Sequence, residues 1–355
     1  MPNSTSINLE EYTFPKVNYI GNKEKLSKWI SENIPLEHGI VLDLFSGGSS
    51  ISFALKKKQY KVISNDSLYA SFVMNKALIE NKKDVLPINY IDKALSKEYF
   101  DENIREKLSW LENKLYYPEE VDELTNLVSF SYDLKGFERY LFLSLLRRAM
   151  IRKLPYSRMN INWENIKKLR DEEYSYKKYG RRRAYHNQSF SHHILAEIDS
   201  YNDAIFDNGM QNIASQLDGI EALKYHDSYD VVYLDPPYPG TMNNYDGFYG
   251  SFDKIFEKQI CYTDWTKPHH FLVLLNKALK ISSKKAKYFI LSINSNTRPS
   301  VTEIVNVLKP YGVIDIKERK HNYQVSGKEN KNNNLELLII LKFNESKQLT
   351  IFNYL

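Results

Sequence analysis

One stretch near the amino end constrains the fold more than any other. Residues 39–66, GIVLDLFSGGSSISFALKKKQYKVISND, pass from an apolar tetrad to a glycine pair, then to a helical pattern ending in lysines, then to a second apolar run that stops at Asn-Asp. Strand, glycine turn, helix and strand in that order make a βαβ unit of the doubly wound kind. Such sheets place their ligands just beyond the carboxyl ends of the strands. Gly47 and Gly48 let a ligand approach the backbone and let the helix begin close to the strand. Ser49 and Ser50 follow them, so the turn is not the G-x-G-x-x-G of nicotinamide binding. Asp66 ends the second strand 23 residues after Asp43. An acid there can accept hydrogen bonds from both hydroxyls of a ribose, or cap a turn as Asn-Asp pairs do after strands.

A second segment, VVYLDPPYPGTMNNYDGFYG at residues 231–250, runs four apolar residues into an acid, two prolines and a tyrosine. Prolines cannot donate to a strand ladder, so they end the strand and leave Asp235 and Tyr238 just past its carboxyl end. Residues 239–252 hold three glycines and four aromatics without strong periodicity. They read as a mobile loop whose Tyr245, Phe248 or Tyr249 closes on a substrate.

At 355 residues with 42% hydrophobic content, the chain can bury one large core or two smaller ones. Cys261 is the only cysteine, which excludes an internal disulfide framework and a thiolate metal cage and fits a reducing compartment. It reads as a small packing residue. No histidine spacing matches a zinc site, and no metal is expected. The start lacks a basic and apolar leader and no run of 18 apolar residues occurs, so a soluble, cytoplasmic protein is expected.

Residues 16–35 read as a turn with Gly21 and an amphipathic helix, with Leu26, Trp29, Ile30 and Ile34 inward, stopped at Pro35. Charged helical patterns run from about 81 to 150, broken at YYPEE, and a basic, aromatic segment follows. From Lys135 to Arg183 fifteen lysines and arginines stand against five acids, an excess of ten in a chain whose net charge is +5. Such a block suits a polyanion, though a solvated helical face has the same composition. Strand patterns resume only near DVVYLDPPY, continue in YFILSINS, and end in two strands joined by an Asn-rich loop, as an edge hairpin would.

The order KVNYIGNK, DLFSGG, ND, a long basic insert, DPPY, a strand and an edge hairpin resembles the adenine-specific DNA methyltransferases of the D12 class, the α group that includes the Dam methylases. It covers nearly the whole chain, with residues 81–212 the least matched. The resemblance implies an α/β fold: a Rossmann-like S-adenosylmethionine-dependent core from residues 1–80 and 213–355, with a mixed sheet and an edge β-hairpin, and an inserted, mainly helical DNA-recognition domain at 81–212. It implies S-adenosyl-L-methionine as cofactor. Tyr19, Gly21 and Lys23 would line its methionine end, Asp43, Phe45 and Gly47 its cradle, and Asp66 its ribose. Asp218 would meet its adenine amino group, although a helix N-cap reads the same. The family turn commonly reads F-x-G-x-G; here Ser49 stands at the last position.

The chemistry of residues 235–238 fits an aromatic amine. Adenine N6 is a poor nucleophile because its lone pair is delocalised into the ring. Two acceptors aimed at the amino hydrogens, the Asp235 carboxylate and the Pro236 carbonyl, pull the nitrogen toward a tetrahedral state, with Pro237 counted among the catalytic residues of the motif. Tyr238 offers a flat face to an extruded base, worth roughly 1–3 kcal/mol against an unstacking cost of a few kcal/mol. Direct attack on the methyl is then mostly positioning and aimed dipoles. Cytosine carbon-5 chemistry would need a thiolate, and Cys261 lacks the Pro-Cys setting.

Arg147, Arg148, Arg152, Arg158, Lys177, Lys178, Arg181, Arg182 and Arg183 are the candidate DNA contacts, with Asn160, Asn162, Asn187 and Gln188 as candidate base readers. The function that the resemblance implies, together with these residues, is sequence-specific methylation of adenine N6 in duplex DNA, as a restriction-modification methylase beside a separate endonuclease, or as a stand-alone housekeeping or phage methylase. A monomer is expected. Alternatives are an RNA methyltransferase acting on guanine N2 or adenine N6, a cytosine N4 methyltransferase, and a nucleic-acid-binding protein with a vestigial core.

Overall fold

The computed structural model describes residues 8–239, 244–320 and 335–344. They fall into two compact units. One comprises Met1–Asn33, Ser46–Leu217 and Asn244–Cys261; the other comprises Ile34–Phe45, Asp218–Asn243 and Tyr262–Leu355.

The second unit contains β1 (Ile40–Asp43), β4 (Val231–Leu234), β5 (Tyr288–Asn294), β6 (Gly312–Lys320) and β7 (Leu335–Phe343). β1 pairs with β4 and β4 with β5 in parallel, Val41 opposite Val231 and Val231 opposite Tyr288. β7 is antiparallel to both β5 and β6, so the hairpin closes the sheet as expected. All four residues of β4 are buried, which is why this strand reads as a continuous apolar run. β6 lies at the edge, where Lys317, Glu318, Arg319 and Lys320 keep its outer half polar. The helix Pro268–Ser282 lies in the same unit and buries Phe271, Leu275 and Leu279.

The first unit contains β2 (Lys61–Asp66) paired in parallel with β3 (Ile213–Gln216). The helix Glu24–Glu32 buries Leu26 and Ile30 as its pattern requires, and Ser50–Lys57 is the helix after the glycine turn. The segment from 81 to 212 is helical. Its longest pieces are Pro118–Asp133 and Gly136–Arg152. The helical pattern breaks at YYPEE as expected: Tyr116 and Tyr117 lie outside the helices, Pro118 begins the first of these two, and the Glu120 carboxylate accepts from the Tyr117 amide.

Three expectations need correction. β3 is a strand that the pattern IASQ did not announce, since all four residues are half-buried and two are polar. The loop expected over 239–252 is, from Tyr245 to Ile255, an α-helix capped by the Asn244 side chain on the Gly247 amide, while residues 240–243 lie outside the described ones. Cys261 is exposed and does not serve packing. Among the described residues, no helix is long and apolar enough to cross a membrane.

Candidate active site

In the first unit, the amino-terminal motif is held by aromatic stacking. The Tyr19 ring stacks on Tyr249 at 4.6 Å and on Tyr245 at 5.8 Å, and the Tyr249 hydroxyl accepts from the Ile20 amide at 2.6 Å. Both partner rings come from the helix Tyr245–Ile255, and desolvation among them pushes the Tyr19 phenol well above its usual range, with the Asp66 carboxylate adding to the shift. Lys23 is buried, and exposed Gly21 faces the Tyr245 hydroxyl.

Gly47 has φ +50°, and a Cβ there would stand 3.0 Å from the Tyr19 ring, so the turn needs glycine for both conformation and room. Its amide donates to Asp66 Oδ2 at 2.9 Å, while Asp66 Oδ1 accepts from the Leu68 amide at 2.9 Å. Asp66 is therefore both a turn cap and a brace for the glycine turn. Burial pushes its carboxyl up to about 6 and those donations oppose the shift, so it is mostly ionised at neutral pH. Ser49, where the family pattern has glycine, adopts a left-handed φ of +68°. Its hydroxyl donates to buried Asn75 Oδ1 at 2.7 Å, and Asn75 donates to Ser46 Oγ at 2.6 Å.

One buried acid here was not singled out from the sequence. Asp253 accepts from the amides of Tyr69 and Ala70 at 2.8 and 2.9 Å, capping the helix that follows Asp66 in the chain. Burial first, and then the nearby Asp66 charge, push it up to about 7 against those hydrogen bonds.

In the second unit, Asp43 is buried at the end of β1, and the Leu44 amide donates to the Tyr233 carbonyl at 3.0 Å. Phe45 is half-buried, edge-on to Trp265 at 5.3 Å, and a Cβ on Gly219 would stand 2.9 Å from its ring. Asp218 is an N-cap: its Oδ1 accepts from the Ile220 and Glu221 amides, and Oδ2 accepts from the Thr263 amide at 2.7 Å. Trp265 was also missed by sequence reasoning. It is buried, and its indole N–H has no partner among the described residues. Asp235 emerges half-buried directly after β4, Pro236 is buried, and Pro237 and Tyr238 are half-buried. The Tyr238 hydroxyl donates to Glu336 on β7 at 3.3 Å.

The basic candidates separate by burial. Arg147 and Arg148 are inside the first unit: Arg147 donates to the Val17 and Asn18 carbonyls, and Arg148 to the Lys16 carbonyl and Glu197. The expected DNA contact at these two positions is thus replaced by a structural one. Arg152 lies half-buried over Tyr185 at 3.9 Å. Arg158 lies half-buried over Phe248, which is itself buried beneath it while its carbonyl accepts from the Met159 amide. Phe248 is therefore packing in this structure, not a loop tip. Lys177, Lys178, Arg181 and Arg182 are exposed, and Arg183 is half-buried over Tyr179. Of the proposed base readers, Asn160 and Gln188 are exposed, Asn162 caps the helix Trp163–Arg170, and Asn187 pairs with Arg170.

The family model of the D12 class N6 adenine-specific DNA methyltransferases matches residues 19–321. The chain is 43% identical over 338 residues to the Type II methyltransferase M2.HphI of Haemophilus parahaemolyticus, covering 93% of this chain and 98% of that one. It is 26% identical to the modification methylase StsI of Streptococcus sanguinis over 93% of this chain, which spans 53% of that longer protein. It is 22% identical to the Type II methyltransferase M.NlaIII of Neisseria lactamica, covering 89% of this chain and 95% of the other. These matches do not favour the RNA-directed or cytosine-N4 readings. With the glycine turn, the acid ending β2 and Asp-Pro-Pro-Tyr after β4 in this order, the chain belongs to the D12 class of N6 adenine-specific DNA methyltransferases.

Proposed function

We propose that this chain methylates N6 of an extruded adenine within a specific duplex DNA sequence, as the cytoplasmic, monomeric modification partner of a separately acting restriction endonuclease. The observation that carries the reading is the placement of Asp235, Pro236, Pro237 and Tyr238 at the carboxyl end of β4, whose buried residues fix where the acid begins. Asp235 and the Pro236 carbonyl accept from the two amino hydrogens and make the nitrogen lone pair available for attack. Tyr238 stacks on the base and offsets part of its unstacking cost of a few kcal/mol.

S-adenosyl-L-methionine, when bound, supplies a methyl group on an electrophilic sulfonium. The residues present fit such a molecule. Gly47 offers backbone free of a side chain, and the mostly ionised Asp66 can accept from ribose hydroxyls. By resemblance two residues of the second unit are assigned to the cofactor as well: Phe45, which is edge-on to Trp265, and Asp218, which caps the helix Gly219–Tyr225 and holds the loop bearing Thr263. Tyr19, Gly21, Lys23 and Asp43 complete the residues assigned to the cofactor. Residues 81–212 act as the target-recognition domain, in which the exposed Lys177, Lys178, Arg181 and Arg182 meet phosphates.

The test is mass spectrometry of nucleosides from a methylation-free bacterial host expressing either this chain or its Asp235→Ala variant. N6-methyladenine in the DNA with the native chain and none with the variant is the expected result. N4-methylcytosine, or a methylated RNA base with unmodified DNA, would overturn the substrate assignment.

A further inference from the structure

The Tyr238 ring is held at its hydroxyl end by a buried acid, Glu336. Glu336 is a fully buried acid inside the apolar strand LELLIIL, where a carboxylate is costly unless hydrogen-bonded. Its Oε1 accepts from the Tyr238 hydroxyl at 3.3 Å and from the Ser292 hydroxyl at 2.5 Å. Ser292 is itself fully buried, in the middle of β5, two residues along from Asn294, which is the register partner of Glu336. Arg319 stands opposite Glu336 in the β6–β7 register. One carboxylate oxygen thus ties together the segment after β4, the strand β5 and the hairpin strand β7. A half-buried tyrosine outside a strand has freedom about both side-chain torsions. A hydrogen bond at the far end of its ring removes most of that freedom.

We propose that Glu336 is a positioning residue for methyl transfer: it fixes the plane of the Tyr238 ring, so that the base is received at the angle at which Asp235 and the Pro236 carbonyl reach its amino group. Ser292 holds the same oxygen in place from below. The inference rests on the stacking role given to Tyr238 above. It also assigns a function to the edge hairpin, which delivers the acid.

The test is a double-mutant cycle on the full chain with Tyr238→Phe and Glu336→Leu, after the target sequence has been read from the positions of N6-methyladenine in host DNA. Two readouts are taken on duplexes carrying that sequence. They are the single-turnover methylation rate at saturating S-adenosylmethionine, and the fluorescence of 2-aminopurine replacing the target adenine. Each single variant is expected to slow the rate about tenfold and to alter the fluorescence of the extruded base. The double variant should be no slower than either, since both act through the same bond. Glu336→Gln, which keeps an acceptor, should recover most of the rate. Multiplicative losses, or a slow Glu336→Leu protein whose 2-aminopurine signal matches the parent, would overturn the proposal. Should Glu336→Leu not fold, Tyr238→Phe and Glu336→Gln are read singly: a tenfold loss with altered fluorescence in Tyr238→Phe and near-parental values in Glu336→Gln support the proposal, and a Tyr238→Phe protein with parental rate and fluorescence overturns it. Tyr238→Ala separates the two levels. If it leaves rate and fluorescence unchanged, the stacking reading itself falls; if it changes both while the cycle is multiplicative, only the role of Glu336 falls.

Discussion

Arg147 and Arg148 belong to the same basic block as Arg181, Arg182 and Arg183, yet the two groups have opposite fates. The first pair lies in a helix buried at every position from Leu141 to Ile151, with its donors on the carbonyls of residues 16–18 and on Glu197. In the second group Arg181 and Arg182 are exposed; Arg182 pairs with Glu173 and lies over Tyr176. A charge run therefore reports an excess of charge and not its place. What decides the place is the company: LFLSLLRRAMI leaves no polar face, so an arginine within it must be buried and paired.

The largest effect expected from this contrast is at Arg147. Arg147→Ala removes the donors to the Val17 and Asn18 carbonyls and the cation 5.5 Å from the Tyr19 ring and 5.0 Å from that of Tyr249. A loss of about 3 kcal/mol or more in unfolding free energy is expected, with weaker S-adenosylmethionine binding because Tyr19 loses its support. Denaturant titration measures the first and calorimetry the second. A variant as stable as the parent would put Arg147 with the surface group and erase the distinction.

Next in size is the pair of Arg148 with Glu197, 2.6 Å apart and both largely buried. A double-mutant cycle to Ala should give a coupling of about 1–3 kcal/mol, since each single variant strands the other charge. An exposed pair such as Arg182 with Glu173 should give well under about 1 kcal/mol in the same experiment. Equal couplings would contradict the burial that separates the groups.

The same rule about company explains what was legible in the sequence. The βαβ segment, β4 with its prolines, β5 and the hairpin strands were readable because apolar runs and breakers coincide there. The helix Tyr245–Ile255 was hidden by its two glycines, Gly247 and Gly250, although Tyr245, Phe248, Tyr249, Phe252 and Ile255 recur at helical spacing. β3 is too short and polar to show a period, and only its partner β2 makes it a strand. Asp218 shows the limit at the site: one aspartate before a helix looks the same whether it caps, binds a ligand or does both. Asp253 and Glu336 left one available signal, an acid placed within an otherwise buried face.

Buried acids extend the contrast to the opposite sign of charge. Asp253 is pushed up to about 7 by burial, above the ordinary 3.8 that it regains on unfolding. The folded state therefore binds the extra proton between those values, and its stabilising contribution is complete below about pH 4 and lost as pH rises toward 7. Asp253→Asn cannot titrate. Parent and variant stabilities, compared from pH 4 to 8, should show that the parent loses more than the variant as pH rises. Parallel curves would mean that Asp253 titrates alike in both states. Asp66, pushed up to about 6, acts in the opposite sense on binding: S-adenosylmethionine affinity should weaken as pH falls through about 6, because the protonated acid loses acceptor capacity.

The smallest effect on stability belongs to the exposed group, and it is the most informative about DNA. Replacing Arg181, Arg182 and Arg183 together by Ala removes the surface pair with Glu173 and the contacts over Tyr176 and Tyr179. The change in unfolding free energy should stay within about 1 kcal/mol, as for surface substitutions generally. Binding to duplex DNA of arbitrary sequence should respond instead. Each arginine that neutralises a phosphate releases condensed counterion, so the slope of log affinity against log salt should flatten by up to about three units. Fluorescence anisotropy at several salt concentrations measures that slope without knowledge of the target sequence. An unchanged slope with a large loss of stability would reverse the assignment of the two groups. An unchanged slope with unchanged stability would leave Arg181–Arg183 on the surface but away from the DNA, and shift the phosphate contacts to Lys177 and Lys178 on the preceding helix.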